Sequence, residues 1–385
     1  MDPTFTIRVF EELTTLADDN ITRRHGVYET RPLVSDFTRS MFILVNHVVI
    51  STGFDLFGTV GNFINIAVFL KQGLRKSMNL SFFAMSVSDL CGLVFQIWHN
   101  FCLNPYVEGI DSPVEFIEVQ YLTAGWPNAV LVRITCWITA YITAERCLSI
   151  AIPLKIKQVI TFNRTAVIIV FIYIINMASI VPLYFSAYFS WNFYPEQNRT
   201  KLGISFRSNK LEIESLIFTF QASLAIIAFA LVIILTGVLV IKLKQKSKWR
   251  RTATSDKDQN EAMSSRERKT VNMVIAVAIV LIVCYTPAVI CSITTSITPD
   301  FGITGKQANM FHVIWSFGFL FHSINASINV VLYYKMSSKY RTTFHQIFRK
   351  CAGKPADDTE EDRGNSCKTS QTTLYSVNHE VVVTS

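Results

Sequence analysis

Charge is scarce in this sequence: Asp, Glu, Lys and Arg make up 17% of its 385 residues, against roughly 25% in an ordinary soluble domain. Cysteine is thin, at 8 residues of which half fall inside apolar runs, which excludes a disulfide-dense secreted scaffold. Enzyme signatures are missing. Neither His-Glu-X-X-His nor Gly-X-Ser-X-Gly occurs, and the 7 His are scattered, so no clustered nucleophile or metal set is in view. No internal repeat is evident either, which counts against a transporter built from paired halves. What is abundant is apolar: 50% of residues are hydrophobic and Phe alone counts 29. Outside the tails, that richness excludes disorder.

The apolar residues are gathered into seven long runs: Met41–Leu70, Met78–Phe101, Thr123–Ala144, Thr165–Tyr188, Ser215–Ile241, Thr270–Thr298 and Gln307–Tyr334. A helix crossing the hydrocarbon core needs about 20 mostly apolar residues. The runs do not alternate at period two, so a β-barrel is excluded, and lipid leaves the helix as the remaining solution. The fold class predicted is an all-α membrane protein, a seven-transmembrane helix bundle with a short amphipathic helix eight. Residues 1–40 are expected to form an extracellular tail, 41–335 the bundle, 336–351 the amphipathic helix and 352–385 a disordered cytoplasmic tail. The first run serves as the insertion signal, because Met1–Glu12 carries charge and lacks the apolar core of a cleavable leader.

Lys and Arg set the orientation. The loops after the first, third and fifth runs and the segment after the seventh are basic. The loop 102–122 holds Glu108, Asp111, Glu115 and Glu118 with no Lys or Arg. This predicts a plasma-membrane protein with its N-terminus outside and C-terminus inside. The net charge of +8 is then a topology signal toward anionic lipid, with no nucleic-acid partner. Asn20 and Asn198 sit in Asn-X-Thr sequons on the outer side, as glycosylation candidates. In the amphipathic helix, Met336, Tyr340, Phe344, Ile347 and Phe348 share one side, and Cys351 at its end is either a palmitoylation site or a plain thiol.

Ionisable and amide side chains inside spans are costly and turn inward. Asp89 lies mid-span in the second run and Asn62 in the first, while Asn325 and Asn329 stand four apart on one face of the seventh. A carboxylate among amides forms a buried hydrogen-bond network or holds a small cation, so Asp89 is a candidate sodium ligand. No other cofactor is indicated. Glu145-Arg146 closes the third run, and Pro287 interrupts the sixth, where it removes a backbone hydrogen bond and kinks the helix.

Taken in order, these residues resemble the rhodopsin-like (class A) G-protein-coupled receptor family over residues 45–350. Gly61-Asn62, Ser86-Val87-Ser88-Asp89, Glu145-Arg146-Cys147, Cys284-Tyr285-Thr286-Pro287, Asn329-Val330-Val331-Leu332-Tyr333 and Tyr340-Arg341 are similar to that family's ordered motifs. The flavour is that of invertebrate peptide receptors and of mollusc and nematode chemosensory receptors. Departures are Cys147, Tyr285 and Val330 in place of the family's aromatic, Trp and Pro. Tyr121 stands where a Cys is usual, and the loop 189–214 has none, so the customary outer disulfide is expected to be absent. The vestibule is then either more mobile or held by packing of Trp191, Phe193 and Tyr194.

The resemblance implies a non-enzymatic cell-surface receptor. Glu145, Arg146, Tyr285, Pro287, Asn329 and Tyr333 would form its activation switch, and Asn62, Asp89, Asn325 and Asn329 its polar network. A peptide or small-molecule ligand in the outer half would favour an outward swing of helix six and activation of a heterotrimeric G protein. Arrestin and a receptor kinase are implied by the Ser/Thr-rich tail. The alternative is a receptor-like scaffold or decoy that does not couple. Candidate pocket residues are His99, Asn128, Arg133, Tyr285, Phe319 and His322. Asn128 is no acid, which disfavours biogenic amines, and Ser323 is no Lys, which excludes a retinal Schiff base. Arg133 snorkels, pairs internally with Asp55 as one candidate, or meets a ligand carboxylate. The acidic outer loop either steers cationic peptides or is merely kept free of Lys and Arg by topology. Ligand class stays open between neuropeptide and environmental chemical.

Overall fold

The computed structural model describes residues 33–108, 110–153, 155–252, 258–298, 300–302 and 305–351. Among them are seven long helices: α1 (Asp36–Gln72), α2 (Ser77–Cys102), α3 (Trp126–Ala151), α4 (Phe162–Ala178), α5 (Lys210–Thr252), α6 (Asp258–Ile297) and α7 (Ala308–Met336). An eighth, α8 (Ser338–Cys351), follows after extended backbone at Ser337. Asn20 and the tail 352–385 lie outside the described residues.

Six of the seven long helices have the length and hydropathy to cross a bilayer. α3 falls short of that measure because Arg133, Glu145 and Arg146 dilute its apolar content. Yet α3 is the centre of the bundle, packed against α2, α4, α5 and α6. The molecule is a seven-transmembrane bundle turned inside out relative to a soluble domain. Phe54, Leu56, Val60, Phe63, Val170, Phe171 and Ile174 are exposed, while Asn62, Asp89, Asn128 and Asn329 are buried. Lipid accepts the first set, and the second must find partners inside.

Helix boundaries shift from those the apolar runs predict, each for a local reason. α1 begins at Asp36, inside the stretch expected to be tail, because the Ser35 hydroxyl accepts from the Thr38 N–H and Asp36 complements the helix dipole. A π-helical stretch, Leu44–Ser51, then turns Asn46, His47 and Ser51 inward. The fourth run does not remain helical to Tyr188. α4 stops at Ala178, a short helix Val181–Ser186 resumes with Pro182 in its first turn, and the chain goes extended at Ala187. α5 and α6 outrun their apolar segments into the stretch 243–269, whose Lys, Arg, Gln and Glu are good helix formers.

Between α4 and α5 lies a feature that the apolar runs do not show, an antiparallel hairpin of β1 (Ala187–Tyr194) and β2 (Arg199–Phe206). Its turn places Asn198 in the left-handed region, at φ 48, a conformation Asn tolerates better than most residues. The hairpin marks one end of the bundle, here termed the hairpin end. α8 marks the other, packed on α1 and α7. Tyr340, Phe344 and Ile347 of α8 pack on the core, Phe348 is half exposed, and Met336 joins the same cluster from the end of α7.

Candidate functional site

At the α8 end, Arg146 Nη2 donates to its neighbour Glu145 Oε1 at 2.6 Å, and Glu145 is buried. Two further hydrogen-bonding atoms of this pair, Glu145 Oε2 and Arg146 Nε, have no partner. Cys147 occupies the place of the expected aromatic, and its thiol meets the Leu235 carbonyl on α5 at 3.3 Å. Tyr333 is fully buried among Phe69, Phe82 and Tyr340, with ring centroids 5.0–5.7 Å away, and its hydroxyl is without a hydrogen bond. Burial pushes the Tyr340 hydroxyl up, keeping it protonated as the donor to Asn65 Oδ1 at 2.6 Å. That bond ties α8 to α1.

Mid-bundle, the polar network divides in two. Asp89 Oδ1 accepts from Thr135 at 2.7 Å and Oδ2 from Asn329 at 2.9 Å. Asn62 donates instead to the backbone carbonyls of Gly58 and Ala326, each at 2.9 Å, and accepts from Asn65 at 3.2 Å. Asn325 is buried beside them in α7 but gives Asp89 no hydrogen bond among the described residues. Thr135 and Asn65 are thus members that the motif reading passes over. Each sits at helical spacing from a recognised polar residue, which is the signal that could have found them.

Toward the hairpin end the expected pocket residues separate. Tyr285 is buried, donates to the Val132 carbonyl at 2.5 Å and stacks on Phe229. Two residues further on, Pro287 lies inside α6. Arg133 lies close enough to Tyr285 to interact electrostatically. Its Nε and Nη2 are buried without a hydrogen bond, and it belongs to none of the ion pairs among the described residues. Asp55 is therefore not its partner. Asp55 Oδ2 accepts instead from Asn100 at 2.8 Å.

On the opposite side of the bundle, His99 and Phe319 pack ring on ring at 4.6 Å, with His47 beside both. His99 Nδ1 donates to Gln120 Oε1 at 2.8 Å, that amide being oriented by its own N–H bond to Ile117. Asn128 is committed to α2, donating to Gln96 Oε1 at 2.7 Å and the Gly92 carbonyl at 3.1 Å. His322 faces that same stretch of α2, and both of its ring nitrogens are unpartnered.

The acidic loop binds to the hairpin. Glu118 Oε2 accepts from the Tyr194 hydroxyl at 2.9 Å and from the Ile204 N–H at 2.8 Å. Lys201 pairs with Glu115 at 3.4 Å and Arg199 with Asp111. Backbone bonds join Leu202 to Pro113 and Glu115. Burial, then the Glu118 carboxylate, push the Tyr194 hydroxyl up to about 12, so it stays an intact donor at any physiological pH. Trp191 and Phe193 do not hold the vestibule, being 63% and 61% exposed. Tyr194 does so through its hydroxyl. No disulfide joins Cys91, Cys102, Cys136, Cys147, Cys284 or Cys291. Of the acidic residues, Asp111, Glu115 and Glu118 are thus occupied by this chain's own side chains and backbone.

The comparison with curated proteins finds no match. The family model described as serpentine type 7TM GPCR chemoreceptor Srw matches residues 49–351, from the π-helical stretch of α1 to the end of α8. With most of the chain covered and the seven-helix bundle in place, this protein belongs to the Srw family of serpentine chemoreceptors.

Proposed function

We propose that the protein is a G-protein-coupled chemoreceptor whose agonist carries an anionic group, a carboxylate or its like, held by Arg133 beside Tyr285. The observation that carries this reading is the guanidinium itself. Two of its nitrogens are buried with no acceptor, and an unpaired cation in a low-dielectric interior costs several kcal/mol. An anionic ligand group that accepts from Nε and Nη2 together would relieve that cost with a forked geometry suited to guanidinium.

The N-terminus and hairpin face outside and the Arg146 end faces the cytoplasm, an orientation supported by the basic loops. The ligand sits beside the Tyr285–Val132 contact between α6 and α3. A preference for a rotated α6 would pass through Tyr285 to the α8 end, opening a cavity there for the G protein. The class A-like switch would run through Glu145, Arg146, Pro287, Asn329 and Tyr333, with Asp89 as a sodium ligand. The agonist shifts this equilibrium only by its differential affinity for the two states.

The test is a ligand screen with a G-protein readout, with carboxylate-bearing and neutral odorants beside peptides, on the parent and on R133Q and R133K. An anionic agonist is expected to lose about 10- to 100-fold in potency with R133Q at normal surface level, and less with R133K. Equal potency at equal expression overturns the contact. Agonist binding without recruitment of any G protein would favour the uncoupled scaffold.

A further inference from the structure

A buried carboxylate that the receptor reading leaves unused sits in α1. Asp55 is wholly inaccessible to solvent, and no ion pair reaches it among the described residues. A chain of side-chain amides ends on it. Asn128 of α3 donates to Gln96 Oε1 at 2.7 Å, Gln96 donates to Asn100 Oδ1 at 2.9 Å, and Asn100 donates to Asp55 Oδ2 at 2.8 Å. Every N–H in this chain points the same way. The Gly92 carbonyl, to which Asn128 also donates, can only accept, which fixes each amide in turn, so Asn100 Oδ1 is the acceptor for both Gln96 and His47. His47 Nδ1 therefore carries the proton in its 3.0 Å bond. Aligned amide dipoles converge their positive ends on Asp55, and hydrogen bonds to a charged form favour that form. The arrangement suits an ionised carboxylate.

The other oxygen of Asp55 is bare. Asp55 Oδ1, the Ser51 hydroxyl one helical turn before it and the Ser323 hydroxyl of α7 are all buried without a hydrogen-bond partner. Ser323 approaches the Asp55 carboxylate as a hydrogen-bond partner without reaching full hydrogen-bond geometry, and Ser51 shares the buried face of α1. One negative charge with hydroxyl oxygens is the donor set of a hard monovalent ion. A divalent ion would keep a net charge in an apolar interior, at a high cost. The imidazoles nearby, His47, His99 and His322, are softer ligands, and no grouping of three His, Cys, Asp or Glu with metal-binding geometry occurs among the described residues. We propose that Asp55, Ser51 and Ser323 form a site for one small monovalent cation of the sodium class, between α1, α2 and α7. It is separate from Asp89, whose two oxygens already accept from Thr135 and Asn329.

The experiment uses the full-length receptor in nanodiscs, without agonist, so its outcome is independent of the ligand reading. Thermal unfolding is compared in sodium chloride and choline chloride at equal ionic strength. D89N removes the mid-bundle carboxylate. In that background sodium should still raise the melting temperature by about 2–4 °C, and D55N/D89N should lose the shift. A D89N receptor indifferent to sodium overturns the site, and so does a shift that survives in D55N/D89N. If the double variant does not fold, S323A/D89N decides. A higher half-saturating sodium concentration there supports the site, and an unchanged one overturns it.

Discussion

At the scale of single residues, the bundle depends on places where two helices come closer than side chains allow. Gly58 of α1 is one. A Cβ there would fall 2.1 Å from Ser327 Oγ and 2.7 Å from Leu93 Cδ1. Ser327 cannot swing away freely, since its hydroxyl donates to the Phe54 carbonyl at 2.7 Å. G58A should therefore destabilise the solubilised receptor by about 1–3 kcal/mol, read as a lower melting temperature. G58A/S327G should recover part of the loss. A G58A receptor as stable as the parent would mean that α1 and α7 are not pressed together there.

The same scale shows what could be read from residues in a row. Asp89 with Asn329 was legible, because a lone acid in an apolar run must find a partner and the amides of the seventh run offered one. The partner of Asp55 was not. Spacing along a helix tells which residues share a face, but not which neighbour that face meets across the bundle. Gln96 and Asn100 stand four apart, the spacing that marks Asn325 and Asn329, yet they match no motif. Arg133 stood out as a charge in a span, but only the packed structure separates it from Asp55.

At the scale of elements, the hairpin is the part the apolar pattern concealed. Its strands carry Phe, Trp, Tyr and Ile beside an apolar helix, so hydropathy alone runs the span on to Tyr188. Part of its attachment is Glu118, whose one carboxylate oxygen accepts from both the Tyr194 hydroxyl and the Ile204 N–H. Hydrogen bonds to a charged acceptor contribute roughly 1.5–3 kcal/mol. E118A should thus raise amide exchange across 199–206 by about 10-fold or more, with α3 exchange below Trp126 unchanged. Unaltered protection of β2 would show that the backbone bonds to Pro113 and Glu115 suffice.

At the scale of the whole molecule, seven helices were countable from the runs alone, because lipid demands a length and a purity that soluble cores seldom repeat. α3 is the instructive member. It alone of the seven falls short of the hydropathy of a membrane span, yet it packs against four other helices, so its charges are carried by protein rather than by lipid. Under the proposed function, the Glu145–Arg146 pair at its end would be where a bundle-wide rearrangement meets a G protein. R146A should keep surface expression and ligand binding and lose nucleotide exchange on the G protein. Signalling at the parental level in R146A would remove that pair from the mechanism.

The hairpin's fastening has a consequence for biogenesis. With carboxylates, an ammonium, a guanidinium and a phenol in place of a sulfur–sulfur bond, the hairpin cap forms without an oxidase. Dithiothreitol should leave it shut, whereas concentrated salt loosens its surface pair, Arg199 with Asp111. The salinity of the surrounding solution, not its redox state, then governs how firmly the hairpin is latched.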